Sequence, residues 1–449
     1  MTPGSGLVLA EPGSTAYTAA TQPHNSTSAQ HPRLVARISD AATGADAVEY
    51  ARTTALKIVP QATGHGVSGN IGDDSLLVDT SALAQVVVDA RSQTARVGAG
   101  AVWSSINREC EKHGLLGAAG SAPDVGVAGY TFGGGVGWLA PTHGLAAGTL
   151  RSVTYVDGSG RIRVASDEAA DDVDREAIWA FRGAGGVGLA LELTFDVFPV
   201  DQPLAGYMLW PANQLSAVIT AWQNAIRTDD TTVATSLSVL HTQDAPPIPE
   251  SLRNSVVVHL AAAAPFGAES AASFRAAMAQ APRPVVDTWG PANADVLAAI
   301  HLDPPPGIPA LGTGRWLDEK ALTAAHDILA AAVTSKTVLM TELRNVGSQP
   351  PLRHGALTSA PAPFLLHAVG AAPVPTRRAA VLAGLADIRE SAATADIGHD
   401  AASFAEGMAG QRDALPADAW LRLQNVRTAV DPEGLFAQTR FNTAEGTQP

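Results

Sequence analysis

His65 stands between two glycines in Pro60-Gln61-Ala62-Thr63-Gly64-His65-Gly66, just past the apolar run Leu56-Lys57-Ile58-Val59. Glycines on either side let backbone come close to a ligand, because no Cβ intervenes. A second cluster, Gly133-Gly134-Gly135-Val136-Gly137, follows further along the chain. A pyrophosphate carries two negative charges, and backbone N–H groups in a tight glycine-rich turn can hold it. Gly64, Gly66 and Gly69 could form one such turn, and Gly126, Gly129 and the Gly133–Gly137 run another wall. Glycine-rich loops are also common as plain turns. A nicotinamide-type fingerprint needs a strand, Gly-x-Gly-x-x-Gly and a helix. No glycine cluster here opens a good helix, so that reading is weak.

The second half of the chain offers polar residues on apolar strands. His367 lies within Phe364-Leu365-Leu366-His367-Ala368-Val369-Gly370. A lone polar residue in such a strand has a partner or a task. In Met340-Thr341-Glu342-Leu343-Arg344 the period of two puts Glu342 and Arg344 on one face. The pairing of these two on a solvated face is the plainer expectation, with catalysis the alternative. His259 and His241 are weaker candidates on strands. Trp138 and His143 border the glycine run; packing is the expected role of Trp138.

These residues need elements to position them. Leu34 to Ile38 reads as extended and Ala45 to Leu56 as a helix. Strands at Leu76–Asp79, Val86–Val88 and Ala95–Val97 follow, then a helix from Val102 to His113 stopped by Gly114. The glycine-rich stretch from Gly117 to Gly137 is not expected to form a regular helix. Strands return at Val153–Val156 and Arg161–Val164 around the turn Asp157-Gly158-Ser159-Gly160, followed by a helix from Val173 to Phe181 and a strand from Leu189 to Val197. Beyond Pro199–Pro203 the character changes. Strands are expected at Thr232–Leu240, Ser255–Ala262, Thr337–Arg344 and Phe364–Val369. Ala-rich helices are expected at Gln214–Ile226, Ala268–Ala279, Leu317–Val333 and Arg377–Ser391. The Pro-rich run His301 to Pro309 reads as a loop or linker. Domains are accordingly expected over 1–202 and 203–394, with 395–449 returning to the first and carrying a helix from Ala417 to Val430.

Bulk properties narrow the classes. The 449 residues exceed one usual compact domain. Hydrophobic residues at 46% and charged residues at 16% give an ordinary globular balance. A net charge of −14 argues against nucleic acid or an anionic membrane surface as partner. The single cysteine, Cys110, rules out an intrachain disulfide and a zinc–cysteine site. No apolar stretch approaches the length of a membrane span, and the first thirty residues lack a basic start with an apolar core, so a cytoplasmic protein is expected. Oligomeric state is not readable from the sequence.

One ordered set of motifs runs through the chain. It begins with Gln61-Ala62-Thr63-Gly64-His65-Gly66, Leu77-Val78-Asp79-Thr80-Ser81-Ala82-Leu83 and Val97-Gly98-Ala99-Gly100-Ala101-Val102-Trp103. It continues through Val125-Gly126-Val127-Ala128-Gly129, Phe132-Gly133-Gly134-Gly135-Val136-Gly137-Trp138-Leu139, His143-Gly144-Leu145 and Ile178-Trp179-Ala180-Phe181-Arg182-Gly183-Ala184-Gly185-Gly186. The tail Asp431-Pro432-Glu433-Gly434-Leu435-Phe436 completes it. This series resembles the vanillyl-alcohol-oxidase / p-cresol-methylhydroxylase (PCMH-type) superfamily, in particular its berberine-bridge-enzyme-like branch.

The resemblance implies an α+β fold, with a PCMH-type two-part FAD-binding domain and a substrate domain whose antiparallel sheet is backed by helices. It implies FAD held by Ala62, Thr63, Gly64, His65, Gly66, Val67, Gly69, Ser121, Val125, Gly126, Gly129, Gly133, Gly134, Gly135, Gly137 and Gly188. His65 would carry a covalent bond to the flavin, which needs a neutral imidazole nitrogen as nucleophile. Doubly linked relatives place a cysteine where this chain has Gly120-Ser121-Ala122-Pro123, with Ala122 the nearest match, so a cysteinyl link is impossible. The Tyr-x-Asn of relatives is missing from Asp400-Ala401-Ala402-Ser403-Phe404, and their closing asparagine pair is altered at Gln438-Thr439-Arg440-Phe441-Asn442.

The implied reaction passes hydride from a small organic substrate (an alcohol, sugar, amine or secondary metabolite) to flavin N5, with molecular oxygen as the final acceptor. His367 is the expected base, with Glu342 and Arg344 as catalytic neighbours. A redox-neutral cyclase, lyase or isomerase with flavin structural or absent is the alternative, and a non-catalytic binding module is disfavoured by the intact loops.

Overall fold

The computed structural model describes residues 6–437 apart from 68, 228–231, 304–306 and 409–411. The altered asparagine pair at 438–442 lies outside the described residues. Three larger sheets organise the rest. The first has the order Val8–Ala10, Leu34–Arg37, Ser75–Asp79, Lys57–Gln61. Its inner pairs are parallel, because the helix Ala41–Thr54 makes the crossover between Leu34–Arg37 and Lys57–Gln61. Asp40 caps that helix, accepting from the Thr43 N–H at 2.8 Å while the Thr43 hydroxyl answers the Asp40 N–H at 3.1 Å. Ala47, Val48 and Ala51 share its inner face and are fully buried.

The second sheet is antiparallel, in the order Val86–Asp89, Thr94–Gly98, Leu189–Asp196, Leu150–Val156, Ile162–Ser166. The strand Leu189–Asp196 buries Leu189, Leu191, Leu193 and Phe195, alternating as a half-buried strand does. The tail helix Ala417–Val430 lies on the helix Asp172–Phe181, with Arg422 bonded to Glu176. After it, Asp431 accepts the N–H groups of Leu435 and Phe436, each at 2.8 Å, and Ala437 N–H bonds Ile58 O at 2.9 Å. The tail thus closes against the first sheet.

The third sheet is larger and antiparallel. Its path runs Val286–Asp287, Leu204–Pro211, Val256–Ala264, Ala234–His241, Met340–Asn345, Phe364–Ala371, Ala310–Leu317, Asp396–Asp400. Helices Leu215–Ile226, Gly267–Met278, Ala321–Thr334 and Pro375–Ser391 cover one face. Leu237, Val258, Leu260, Leu343 and Leu366 point into that apolar layer. The opposite face carries the polar residues and is covered by the glycine-rich side of the molecule.

The structure corrects several sequence expectations. Val127–Phe132 is a helix inside the stretch expected to lack one. Gly126 stands extended as its N-cap and Gly133 ends it, while Gly129 is accommodated within it. Leu317 ends a strand and the helix starts only at Ala321. Asp396–Asp400 pairs with Ala310–Leu317, so the chain leaves the large sheet after residue 400, not at 395. Among the described residues, no helix is long and apolar enough to cross a membrane.

Candidate active site

The loop after Lys57–Gln61 and the loop before Val127–Phe132 meet directly. Gly126 N–H donates to Thr63 Oγ1 at 3.3 Å, and a Cβ on Gly126 would come within 3.2 Å of Ala62 Cβ. His65 Nε2–H donates to Asp124 Oδ1 at 3.0 Å. His24 stacks on the His65 ring with centroids 3.5 Å apart and an 18° interplanar angle. Burial first, and then the neighbouring His65, lower the pKa of His24. The His65 bond, outweighing partial burial, lowers that of Asp124. Gly64 adopts φ +73°, where its missing Cβ would press on Pro23 at 2.7 Å. The N-terminal segment therefore packs on this loop, and glycine is required there.

FAD fits what this region leaves open. None of the N–H groups of Thr63, Gly64, His65 or Val67 reaches an acceptor among the described residues. A Cβ added to Gly69 or Gly129 would meet nothing within 4 Å. The buried Tyr130 hydroxyl, on the helix that Gly126 caps, has no hydrogen-bond partner among the described residues. Backbone donors, free approach and an unpaired hydroxyl suit a phosphate-bearing, polar-edged cofactor.

The remaining glycines have internal reasons. Gly134 (φ +97°) lies against Leu357, Gly135 (φ +71°) against Tyr130 and Ala146, and Gly137 against the Ala119 carbonyl. Gly133 accepts from Ser403 through its carbonyl at 2.7 Å. Gly188 (φ +143°) packs on Tyr155 and Val156. Ser121 and Val125 lie on the loop that carries Asp124, with Val125 O accepting from Trp103 N–H at 3.1 Å. The lone cysteine, Cys110, is fully buried, and burial first pushes its thiol up to about 12, which leaves it inert.

The sheet face opposite holds a buried charge cluster. Glu342, Arg344 and His367 do share one face, but it is not solvated: they are 0%, 4% and 7% exposed. The flavin side of the molecule covers what a lone sheet would leave wet. Register places Glu342 directly across from His367 on one side and Ser238 on the other. Glu342 accepts from His367 Nδ1–H at 3.1 Å and from Arg344 Nη2–H at 3.1 Å. It also accepts from His301 Nε2–H at 2.9 Å and from the Ser236 hydroxyl. His301 Nδ1–H donates to Asp303 at 2.7 Å, and His367 Nε2–H to Glu406 at 3.1 Å. Ser121, on the flavin loop, makes a lesser contribution to holding the Asp303 carboxyl low. The Arg344 guanidinium sits 5.6 Å from the Trp138 ring and 5.4 Å from Phe404.

Three carboxylates thus face three cations. Burial opposes ionisation in every case, and the partners overcome it. Burial alone would lower both imidazoles, yet Glu406 and Glu342 raise His367 to about 10, and Asp303 and Glu342 raise His301 to about 9. Burial would raise the two acids, but Arg344 and His301 hold Glu342 well below the carboxylate range, and His301 holds Asp303 at about 2. The bond pattern agrees, since each imidazole donates from both nitrogens.

Sequence reading did not single out His301, Asp303, Glu406 or Ser236. His301-x-Asp303 lies in a run that reads as a linker, and Glu406 lies two residues past the stretch 400–404, notable only for its missing Tyr-x-Asn. The other candidates are accounted for by packing. His259 is buried and bonds Ile300 O at 3.0 Å, His241 bonds Ala332 O at 2.9 Å, and His143 stacks on Phe198. Trp138 is packed, as expected, with its Nε1–H on Leu297 O at 3.2 Å.

Comparison with known proteins agrees with this geometry. Residues 32–166 match the family of FAD binding domains. This part of the chain is similar to FAD binding domains. The chain is 31% identical over 202 residues to (R)-6-hydroxynicotine oxidase of Paenarthrobacter nicotinovorans, a match covering 44% of this chain and 43% of that one. The fold is that of 6-hydroxy-D-nicotine oxidase from Arthrobacter nicotinovorans (TM-score 0.82, 21% identity, 98% of each chain). It is equally that of Physcomitrella patens berberine-bridge-enzyme-like 1 (TM-score 0.80, 18% identity, 97% of each chain). The curated match spans less than half of that relative, while the fold likeness spans the chain. The expected α+β architecture, with an FAD-binding part and an antiparallel sheet backed by helices, is therefore established.

Proposed function

We propose that this protein is an FAD-dependent oxidase of a small organic substrate carrying a C–H bond next to an O–H or N–H group. The observation that carries the reading is the seating of the Arg344 guanidinium 5.6 Å from the ring of Trp138, which directly follows the glycine run. It joins the flavin loop to the acid–base cluster, so the cofactor region and the proton-handling groups are one connected site. FAD supplies a hydride acceptor there and passes the electrons on to oxygen.

The chain's own residues do the rest. Backbone N–H groups of Thr63, Gly64, His65 and Val67 bind the phosphates, and Trp138 and Phe404 wall the sheet face against water. Glu342 fixes Arg344, His301 and His367 in place. The relative named as an oxidase of 6-hydroxynicotine supports oxidation of a C–N or C–O carbon. We further propose a single covalent anchor at His65. Asp124 holds its Nε2–H, which leaves Nδ1 as the nitrogen able to bond the flavin.

Two measurements test this. Wild-type protein precipitated in acid should stay yellow, and His65→Ala should release its FAD; a colourless wild-type pellet would make His65 only a loop residue. Anaerobic mixing with 6-hydroxynicotine, xylobiose, glucose or benzyl alcohol should bleach the flavin with at least one of them. Protein that purifies without flavin would favour a redox-neutral reaction on the same fold.

A further inference from the structure

His65 and its acid are both held by backbone. Gly64, at φ +73°, packs against Pro23 and fixes where the imidazole leaves its loop. Pro123 O accepts from Ser104 N–H at 2.9 Å, and Val125 O from Trp103 N–H at 3.1 Å. Asp124 therefore stands between two neighbours tied to the start of the helix Trp103–Glu111. The outcome is the 3.0 Å bond from His65 Nε2–H to Asp124 Oδ1. The titratable groups facing His65 are Asp124 and His24, whose ring lies flat on it. His24 Nε2 is 3.9 Å from Asp124 Oδ2, too far for a hydrogen bond. Burial and the neighbouring His65 favour neutral His24, against the weaker pull of Asp124 and Asp303, so it offers His65 a π face.

This neighbourhood decides what the anchor becomes once it forms. In the attachment, a C–H bond of a methyl group on the flavin ring breaks and an Nδ1–C bond forms. The carbon gives up two electrons, which pass to dioxygen. With the methyl proton and one proton from solvent, the dioxygen leaves as hydrogen peroxide. The Nε2–H takes no part, so the linked imidazole carries a positive charge. If that proton then left, the Nε2 lone pair would face the Asp124 carboxylate across 3.0 Å with no hydrogen between them. Two acceptors at that distance repel.

We propose that Asp124 holds the Nε2 proton on flavin-linked His65, so that the anchor is a fixed positive charge on the cofactor. This rests on the covalent anchor proposed above. Asp124 is a positioning residue, since it acts through His65. A positive charge attached to the ring system favours its electron-rich, reduced form, which makes the flavin a stronger oxidant of the substrate.

The test compares the wild-type holoprotein with Asp124→Asn, and both with the flavin-bearing peptide released from wild type by proteolysis. Each is titrated across the histidine range, about pH 4 to 9, by visible absorbance. Asp124 is half exposed, so the substitution should leave the fold intact. The Asn carbonyl still accepts the Nε2–H, so the flavin bond still forms. In the peptide the linked imidazole has no Asp124 beside it, and the spectrum changes as it loses its proton. Wild type should make that change about one pH unit or more higher, the worth of a charge-assisted hydrogen bond. Asp124→Asn should return it to the range of the peptide. At a pH midway between the two transitions, the variant's midpoint potential should be lower by about 30 mV or more, the two-electron equivalent of a tenfold change.

Wild type that titrates together with its own peptide overturns the proposal, whatever the variant does. So does Asp124→Asn with a wild-type profile. His24→Phe keeps a ring on the stack and should leave the profile in place. A shift there as large as that of Asp124→Asn would give the proton to His24 and overturn the assignment. Failure of the anchor itself looks different: proteolysis then releases free FAD and no flavin-bearing peptide, and the proposal falls with it.

Discussion

The two walls of the site are built on opposite plans. The flavin side is backbone: glycines, unpaired N–H groups and one imidazole, nearly all within the segments 61–69 and 120–137. The sheet side is side chain: three acids and three cations drawn from residues 301, 303, 342, 344, 367 and 406. A wall of backbone binds without storing much charge, and its partly exposed side chains can be changed with small cost to the fold. A wall of buried charge is a single balanced unit, so removing one member leaves the others unpaired in a medium that solvates them poorly.

The sharpest way to break this contrast is Glu342→Ala. Glu342 has no exposed surface and neutralises Arg344, His301 and His367 together. Loss of one partner from a buried ion pair costs about 3–5 kcal/mol, so chemical denaturation should show a loss of that size. His65→Ala, on the other wall, should shift the same midpoint by only about 0.5 kcal/mol, as partly exposed loop positions do. Equal costs for the two variants would end the distinction.

Alkaline pH probes the charged wall next. His367 is raised to about 10 and His301 to about 9. A group raised on folding contributes stability that is complete below its unfolded value, near 6.5 for histidine. That stability is lost as pH rises through the folded value. Denaturation midpoints should therefore decline from about pH 7 to pH 10, and Glu342→Ala should flatten the decline. The flavin wall predicts no such trend: burial lowers the pKa of His24, so it is neutral across this range.

The same contrast explains what can be read from the chain. The flavin loops are contiguous, so Gly64-His65-Gly66 and the Gly126 turn can be named from local residues alone. The strands at 340–345 and 364–371 are also legible, because period two and apolar content are local signals. That Glu342 and Arg344 share a face follows from that period; that the face is dry does not, since its cover comes from residues far earlier in the chain. His301 and Glu406 are hidden for the same reason. Each sits in an irregular stretch and gains its meaning from a strand distant in sequence. One usable signal is Gly312-Thr313-Gly314 on a strand, where alternate glycines mark a close approach by another segment. The helix at Val127–Phe132 escapes a reading in which glycine density acts as a breaker, because Gly126 and Gly133 stand at its ends and only Gly129 lies within it.

The smallest predicted effect is the most discriminating for the backbone wall. Gly129 lies inside the helix Val127–Phe132 at a helical φ, and nothing stands within 4 Å of where its Cβ would go. In the protein alone, Gly129→Ala should be tolerated and should even stabilise by up to about 1 kcal/mol, the helix-propensity difference between the two residues. If the open space belongs to FAD, the same methyl must weaken cofactor loading. Opposite signs from one methyl separate the two uses of a glycine, chain flexibility and ligand access. Differential scanning of FAD-free protein, set beside the flavin-to-protein absorbance ratio of the purified variant, reads both. A variant that is more stable and equally yellow would place the cofactor away from this helix, and would move the cradle towards the 62–67 loop alone.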